Sequence, residues 1–403
     1  MVTSHNHPTL EWSSLQDVFY RKSDIYHLTW GIDNLSDYLI TSAKDGGLLA
    51  LIRDPSKLVS LGKAALLKPK IHIYSSAGQL VESIPWDASD KIVGFHFTSQ
   101  EQLAVVLDEG VVRLYTLFQP CPSPPLSSSS SSSALQEDQR LSHPVEATST
   151  CFYTQYSLGQ EATDTSVVDA QLWPDGVVAI SGGGRLIEWR FPKRNEEETL
   201  VGVTDVIIQH PQLLPTLDIS LGQSNIPSSW SLIDPDVSSS GLLEVLVSSS
   251  TSDTIISLDS VSGSTDMKLS RGPFSAIRPS PSGKLLALLT ADLKLWVVSS
   301  DFQRSLSEFD VTKCEAYQSS TSLASTSGEA GMKNAGIRQI EWCGNNTVAI
   351  AWETEILMIG PFGDSLRYLY SRSVHLVSES DGLRIISPDR LEFIQKVAGE
   401  FGS

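Results

Sequence analysis

Eight histidines, His5, His7, His27, His72, His96, His143, His210 and His375, are the side chains best suited to metal ligation or proton transfer near neutral pH. Their spacing supports neither role. There is no HExxH pair to set two imidazoles on one helical face around zinc, no His-x-His within a strand, and no carboxylate at a fixed interval from any of them. His5 and His7 alternate near the N-terminus and would hold a metal only adventitiously. Cys121, Cys151, Cys314 and Cys343 are widely separated and make no CxxC, so they read as reduced, buried thiols. The glycine run in SGGGRL, from Ser181, resembles a phosphate cradle, but it lacks the last glycine of GxGxxG. It also leads into LIEWRF, a strand and not a helix N-terminus, so a hairpin turn is expected there. No GxSxG elbow accompanies the many serines. These patterns assign no catalytic, cofactor-binding or metal-binding residue, and leave any partner-binding residue unknown.

Two groups of residues suggest binding. Trp30, Trp173, Trp189, Trp296, Trp342 and Trp352 could form a stacking platform, although recurrence at corresponding positions favours packing between sheets. The stretch FYRKSDIYHLTW, Phe19 to Trp30, sets two aromatics and two cations before an alternating run. Phe19 and Tyr20 are expected to anchor the N-terminal segment, with Arg21 and Lys22 solvated.

Composition narrows the partners. The chain has 403 residues, 40% of them hydrophobic, which is ample for a large core, and 47 acidic against 29 basic residues give a net charge of −18. Nucleic acid is disfavoured, because phosphate neutralisation needs clustered Lys and Arg. The basic pair Lys193 and Arg194 is followed by Glu196 to Glu198, which cancel its field, so Lys193 to Thr199 reads as a solvated loop. The N-terminus lacks a basic region followed by an apolar one, and no apolar run is long enough to span a bilayer. A cytosolic protein is expected, for which the Asn34 and Asn345 glycosylation sequons are chance matches.

The elements that would position these residues are strands. YHLTWGIDNLSDYLITSAKDGGLLALI runs strand, polar turn, β-rich run, glycine turn, β-rich run. The order returns in Val93 to Leu117, Val167 to Phe191, Phe274 to Val298 and Ile337 to Gly360, while LLEVLVSSSTSDTIISL reads as a further hairpin. A repeat of about 40 to 50 residues built this way is the signature of a β-propeller blade, and the length accommodates seven WD-like blades. The predicted fold is therefore an all-β propeller over 25–397, entered by a segment 1–24, with Ile25 to Trp30 as the first strand of the first blade. Its low-complexity insertions, about 121–147 and 318–336, are too poor in apolar residues to offset their ordering entropy and are expected to be disordered. The repeated Ser-x-Asp-x-Gly-x-x-Trp turns of sialidase propellers do not occur.

FYRKSDIYHLTW with YLITSAKDGGLLALIR, then IYSSAGQLVESIPW, IEWCGNNTVAIAWE, LVSESDGLRIIS and EFIQKV, resembles in order the N-terminal part of the vacuolar protein sorting-associated protein 16 family. The resemblance implies a class C core subunit of the HOPS and CORVET tethering complexes. It would work beside the other class C subunits, and indirectly with Rab-type GTPases and SNAREs, on endosome and vacuole or lysosome membranes. It also implies an α-solenoid after the propeller, which holds the Sec1-type SNARE-regulating subunit and is absent here. The last residues, 398–403, depart from the family pattern, and the serine tract Ser127 to Ser133 suggests a fungal-type insertion. The expected function is a non-catalytic interaction scaffold without a cofactor, peripheral to the membrane through its complex. The alternative is a propeller enzyme or ligand receptor with a site in the central channel, which polar residues converging there would favour.

Overall fold

The computed structural model describes residues 12–15, 18–57, 68–117, 151–194, 206–207, 209–216, 227–249, 252–315, 317 and 336–397. They form seven antiparallel sheets of four or five strands, arranged as the blades of a ring. Blade 1 comprises Tyr38–Ser42, Leu49–Arg53, Lys70–Tyr74 and Leu80–Pro85, and blade 2 Ile92–Phe97, Leu103–Leu107, Val111–Thr116 and Phe152–Ser157. Blade 3 is Val167–Trp173, Gly176–Ser181, Leu186–Arg190 and the two-residue Gln212–Leu213. Blade 4 is Ser229–Ile233, Glu244–Ser248, Thr254–Asp259 and Gly263–Lys268, so the hairpin read in LLEVLVSSSTSDTIISL supplies its two middle strands. Blade 5 is Phe274–Pro279, Leu285–Thr290, Lys294–Ser299 and Ser305–Asp310, and blade 6 Gln339–Cys343, Thr347–Ala351, Glu355–Ile359 and Ser365–Leu369.

The second strand of each blade carries the core. Its residues meet a neighbouring blade on either face, so it reads as a continuous apolar run with no alternation. Leu103–Leu107 and Thr347–Ala351 are buried throughout. Each fully buried Leu, Ile or Val there contributes about 1.5–3 kcal/mol. The first strands of successive blades lie side by side around the axis.

Blade 7 corrects the expected entry into the ring. His375–Ser378, Gly382–Ile386 and Arg390–Lys396 are joined by Val18–His27, from the far end of the chain, and then by Trp12–Leu15. Ile25 to Trp30 is thus not the first strand of blade 1. The strand begins at Val18, ends at His27, and closes the last blade. The boundary drawn between 24 and 25 falls inside it. Tyr26 is exposed while Leu28 and the partly buried Trp30 come after the strand, and blade 1 begins with Tyr38. The misreading has a physical cause: alternation reveals a strand but not its neighbour, and a ring must close to remove its free edges.

Two other expectations are modified. Lys193–Arg194 pairs with Val206–Ile207 in a short ribbon, although a loop was expected. A helix, Gln160–Thr165, enters blade 3 without any helical periodicity to announce it. The segments 121–147 and 398–403 lie outside the described residues, as does all of 318–336 except Gly336.

Candidate functional site

The inner strands do bring polar residues towards the axis. His96 Nδ1 lies 3.2 Å from Thr41 Oγ1, joining blades 1 and 2. Trp230 Nε1 donates to Asp169 Oδ2 at 2.7 Å and Gln171 Nε2 to the Trp230 carbonyl at 2.7 Å, joining blades 3 and 4. Trp342 Nε1 donates to the Arg278 carbonyl at 2.9 Å, and Gln339 exchanges two hydrogen bonds with the Leu376 backbone, at 2.9 and 3.2 Å. In each case a polar side chain of one blade satisfies a buried group of the next, which is a stapling role. Beside His96 a cavity of about 570 Å³ opens between Lys44, Asp45, Thr98, Glu101 and Pro174, with both signs of charge on its wall.

Burial shapes the titration of these strands. Desolvation, with Lys44 nearby, pulls His96 down to about 4, and desolvation with Arg384 and Arg338 does the same to His375, so both imidazoles are neutral at pH 7. Desolvation pushes Glu341 up to about 7, against the attraction of Arg278. The signs differ. Below about 6.5 the unfolded state gains protons that these half-buried histidines refuse, so their contribution falls as pH drops towards 4. Glu341 works the other way: between about 4.5 and 7 the folded carboxyl holds a proton that the unfolded one releases. Glu341→Gln is therefore expected to stabilise the fold at pH 8, by about 1–2 kcal/mol, and the gain should vanish below pH 5. Urea titrations at the two pH values would check this, and an equal effect at both would contradict it.

The SGGGRL run is the turn between the second and third strands of blade 3, as expected. The short helix fills the space beside it. A Cβ on Gly182 would lie 2.3 Å from the Thr165 carbonyl, and one on Gly183 2.8 Å from Glu161 Oε1. Ser181 Oγ donates to that same Glu161 oxygen at 2.9 Å. Glycine is needed here for close approach of the helix. Gly182→Ala is expected to cost about 1–3 kcal/mol through this overlap, read as a lower thermal midpoint.

The densest polar cluster sits where blade 7 meets blade 1. Arg384 and Glu379 form an ion pair at 2.6 Å, with side chains only 2% and 4% exposed. Arg384 also donates to Ser42 Oγ at 2.5 Å and to the carbonyls of Ala43 at 2.7 Å and Gly47 at 3.2 Å. Glu379 accepts from the backbone of Asp45 at 2.8 Å and Gly46 at 3.4 Å. Blade 7 thereby grips the whole AKDGG turn of blade 1. Asp45 and Gly46 both have positive φ, 55° and 72°, so the turn presents its amides to the clamp.

FYRK lies at the same closure. Tyr20 is buried between blades 6 and 7, with its hydroxyl hydrogen-bonded to Thr347 Oγ1. Phe19 is half exposed against Trp12. Lys22 is not the solvated cation expected from the sequence: its ammonium is 2.8 Å from Glu392 Oε1 and 5.4 and 5.3 Å from the ring centres of Tyr368 and Tyr370. Arg21 is exposed. Sequence reasoning missed Arg384 and Glu392, whose only signal was charge within apolar strands, and Glu379, which lies in the turn between two of them.

The remaining candidates are structural. Trp173, Trp189, Trp296, Trp342 and Trp352 are buried. They come from first strands, third strands and a turn, so the burial expected of them holds better than their equivalence. Cys151, Cys314 and Cys343 form no disulfide among the described residues; Cys151 and Cys343 are buried and Cys314 is half-buried. Among the described residues no three His, Cys, Asp or Glu side chains gather as metal ligands, and no helix is long and apolar enough to cross a membrane.

Seven radial sheets, stapled at the axis and clamped where the last blade meets the first, define a seven-bladed β-propeller. The fold recurs among solved structures: the Raptor structure of Chaetomium thermophilum superposes on 98% of this chain and 29% of its own, with 10% identity and a TM-score of 0.54. A family profile described as "Vps16, N-terminal region" matches residues 8–143 and 147–401, and the chain belongs to that family. Protein VACUOLELESS1 of Arabidopsis thaliana is 26% identical over 96% of this chain and 39% of its own length. The vacuolar protein sorting-associated protein 16 homolog of Dictyostelium discoideum is 24% identical over 96% and 39%. The chain thus spans about two-fifths of the curated relatives it matches.

Proposed function

We propose that this propeller is a non-catalytic interaction module of a membrane-tethering complex subunit that acts in traffic to the vacuole or lysosome. The observation that carries the reading is family membership over nearly the whole chain, beside relatives named for vacuolar sorting. The geometry agrees with it. The axial polar residues staple blades together, which leaves the loop faces and blade edges as the surfaces for partners. Those partners are the other class C subunits of HOPS and CORVET, with Rab-type GTPases and SNAREs reached through them. Attachment to endosome and vacuole membranes is peripheral, through the complex, because a net charge of −18 is repelled by anionic lipid. A solenoid C-terminal to the propeller in the longer family proteins would hold the Sec1-type subunit.

The test is a pull-down from cytosol with this chain beside a version extended to the family's full length. Recovery of class C subunits by both, and of the Sec1-type subunit by the longer one alone, is the expected result. Recovery of unrelated proteins by both would overturn the assignment.

A further inference from the structure

The closing strand Val18–His27 is hydrogen-bonded to Arg390–Lys396 on one side and to Trp12–Leu15 on the other. It is therefore held to the ring along one seam, between segments some 370 residues apart in sequence. Three side-chain contacts hold it. Tyr20 fills the space between blades 6 and 7, and Asp24 pairs with Arg390 at 3.6 Å on the surface. Between them Lys22 meets Glu392, whose side chain is only 2% exposed, against 32% for the lysine. The other Glu392 oxygen accepts from the Tyr370 hydroxyl at 2.7 Å, and burial beside this carboxylate pushes the Tyr370 phenol up, so it stays a donor.

We infer that this strand is a charge-keyed strap: the ring opens along the seam as a local event, and keeping it shut depends on Lys22 neutralising the buried Glu392. The asymmetry between the partners is the reason. Glu392 is fixed in a core strand of blade 7, while Lys22 arrives on the last strand to dock. A strap docked without its cation would bury a carboxylate with only the Tyr370 hydroxyl and the charge of Arg390, on its own strand, to offset it, which is costlier than losing an exposed ion pair. Docking a strap with the cation places the ammonium against two ring faces and a carboxylate at once. Opening exposes the edge of Arg390–Lys396 and the face of blade 6 that Tyr20 covers, and leaves the apolar middle strands of blades 2 to 5 in place.

Hydrogen exchange on the full chain, monitored in peptides covering 18–27 and 390–397, tests this. In the unsubstituted protein the strap is expected to exchange before the second strands of blades 2 to 5. Lys22→Met should speed exchange of the strap about tenfold to hundredfold, and leave those second strands unchanged. Lys22→Arg, which keeps the charge, should stay within a few-fold of the original. The double variant Lys22→Met/Glu392→Gln should return towards it, because the unpaired carboxylate is gone. Equal exchange in Lys22→Met and the unsubstituted protein would overturn the inference. So would a uniform rise across all blades, or a double variant no better than the single one, including one that fails to fold where Lys22→Met folds.

Discussion

Arg384→Ala is expected to destabilise the propeller by about 3–5 kcal/mol, among the largest losses available to one side chain. Four interactions disappear together: the ion pair with Glu379 and the hydrogen bonds to Ser42, Ala43 and Gly47. More costly still, Glu379 is left as a buried carboxylate facing two backbone amides and no cation. Glu379→Gln/Arg384→Met should lose less than the single alanine variant, since neither partner is then an unpaired charge. Urea titration of the three proteins gives the comparison. A loss below about 1 kcal/mol for Arg384→Ala would show that the clamp is not what ties blade 7 to blade 1.

The second large effect concerns FYRK. Tyr20→Ala is expected to cost about 3–5 kcal/mol, from a cavity between blades 6 and 7 and from Thr347, fully buried, losing its partner. Phe19→Ala, one residue away, should cost under about 1 kcal/mol, because Phe19 is 46% exposed. The contrast is the point of the measurement. A leader segment resting on the ring would give two modest and similar losses, whereas a closing strand with one face in the core gives one large and one small. The same alternation puts Lys22 inward with Tyr20, so the strap and the Tyr20 anchor are consecutive contacts on one face.

Much of the fold was legible because its signals are local. Each blade carries an apolar second strand between two turns, as in QLAVVLDEG and NTVAIAWE, and this pattern recurs often enough to suggest a ring of about seven. The SGGGRL turn was legible too, since it runs into LIEWRF, whose alternation is that of a strand. Legibility failed where a residue's meaning depends on a partner far away in the chain. YHLTW looks like the start of the strand, turn, strand unit of blade 1, but its first residues pair with Arg390–Lys396. Lys22 looks solvated because Glu392, Tyr368 and Tyr370 are more than 340 positions away. The helix Gln160–Thr165 is too short to show a period, and is held by its fit against the Gly182 turn.

By itself, then, the sequence determined the all-β class, the blade-like repeat, the burial of most of its tryptophans and the family to which its blocks belong. These arise from side-chain alternation, turn residues and the order of short motifs, each contained in a few consecutive positions. Only the tertiary structure decided which strand completes which blade, that Arg384 and Glu379 hold the AKDGG turn, and that Lys22 is the counter-charge of Glu392. A local pattern sets how a segment buries its own faces, but the matching of edges and charges in a closed ring is set where its first and last strands meet.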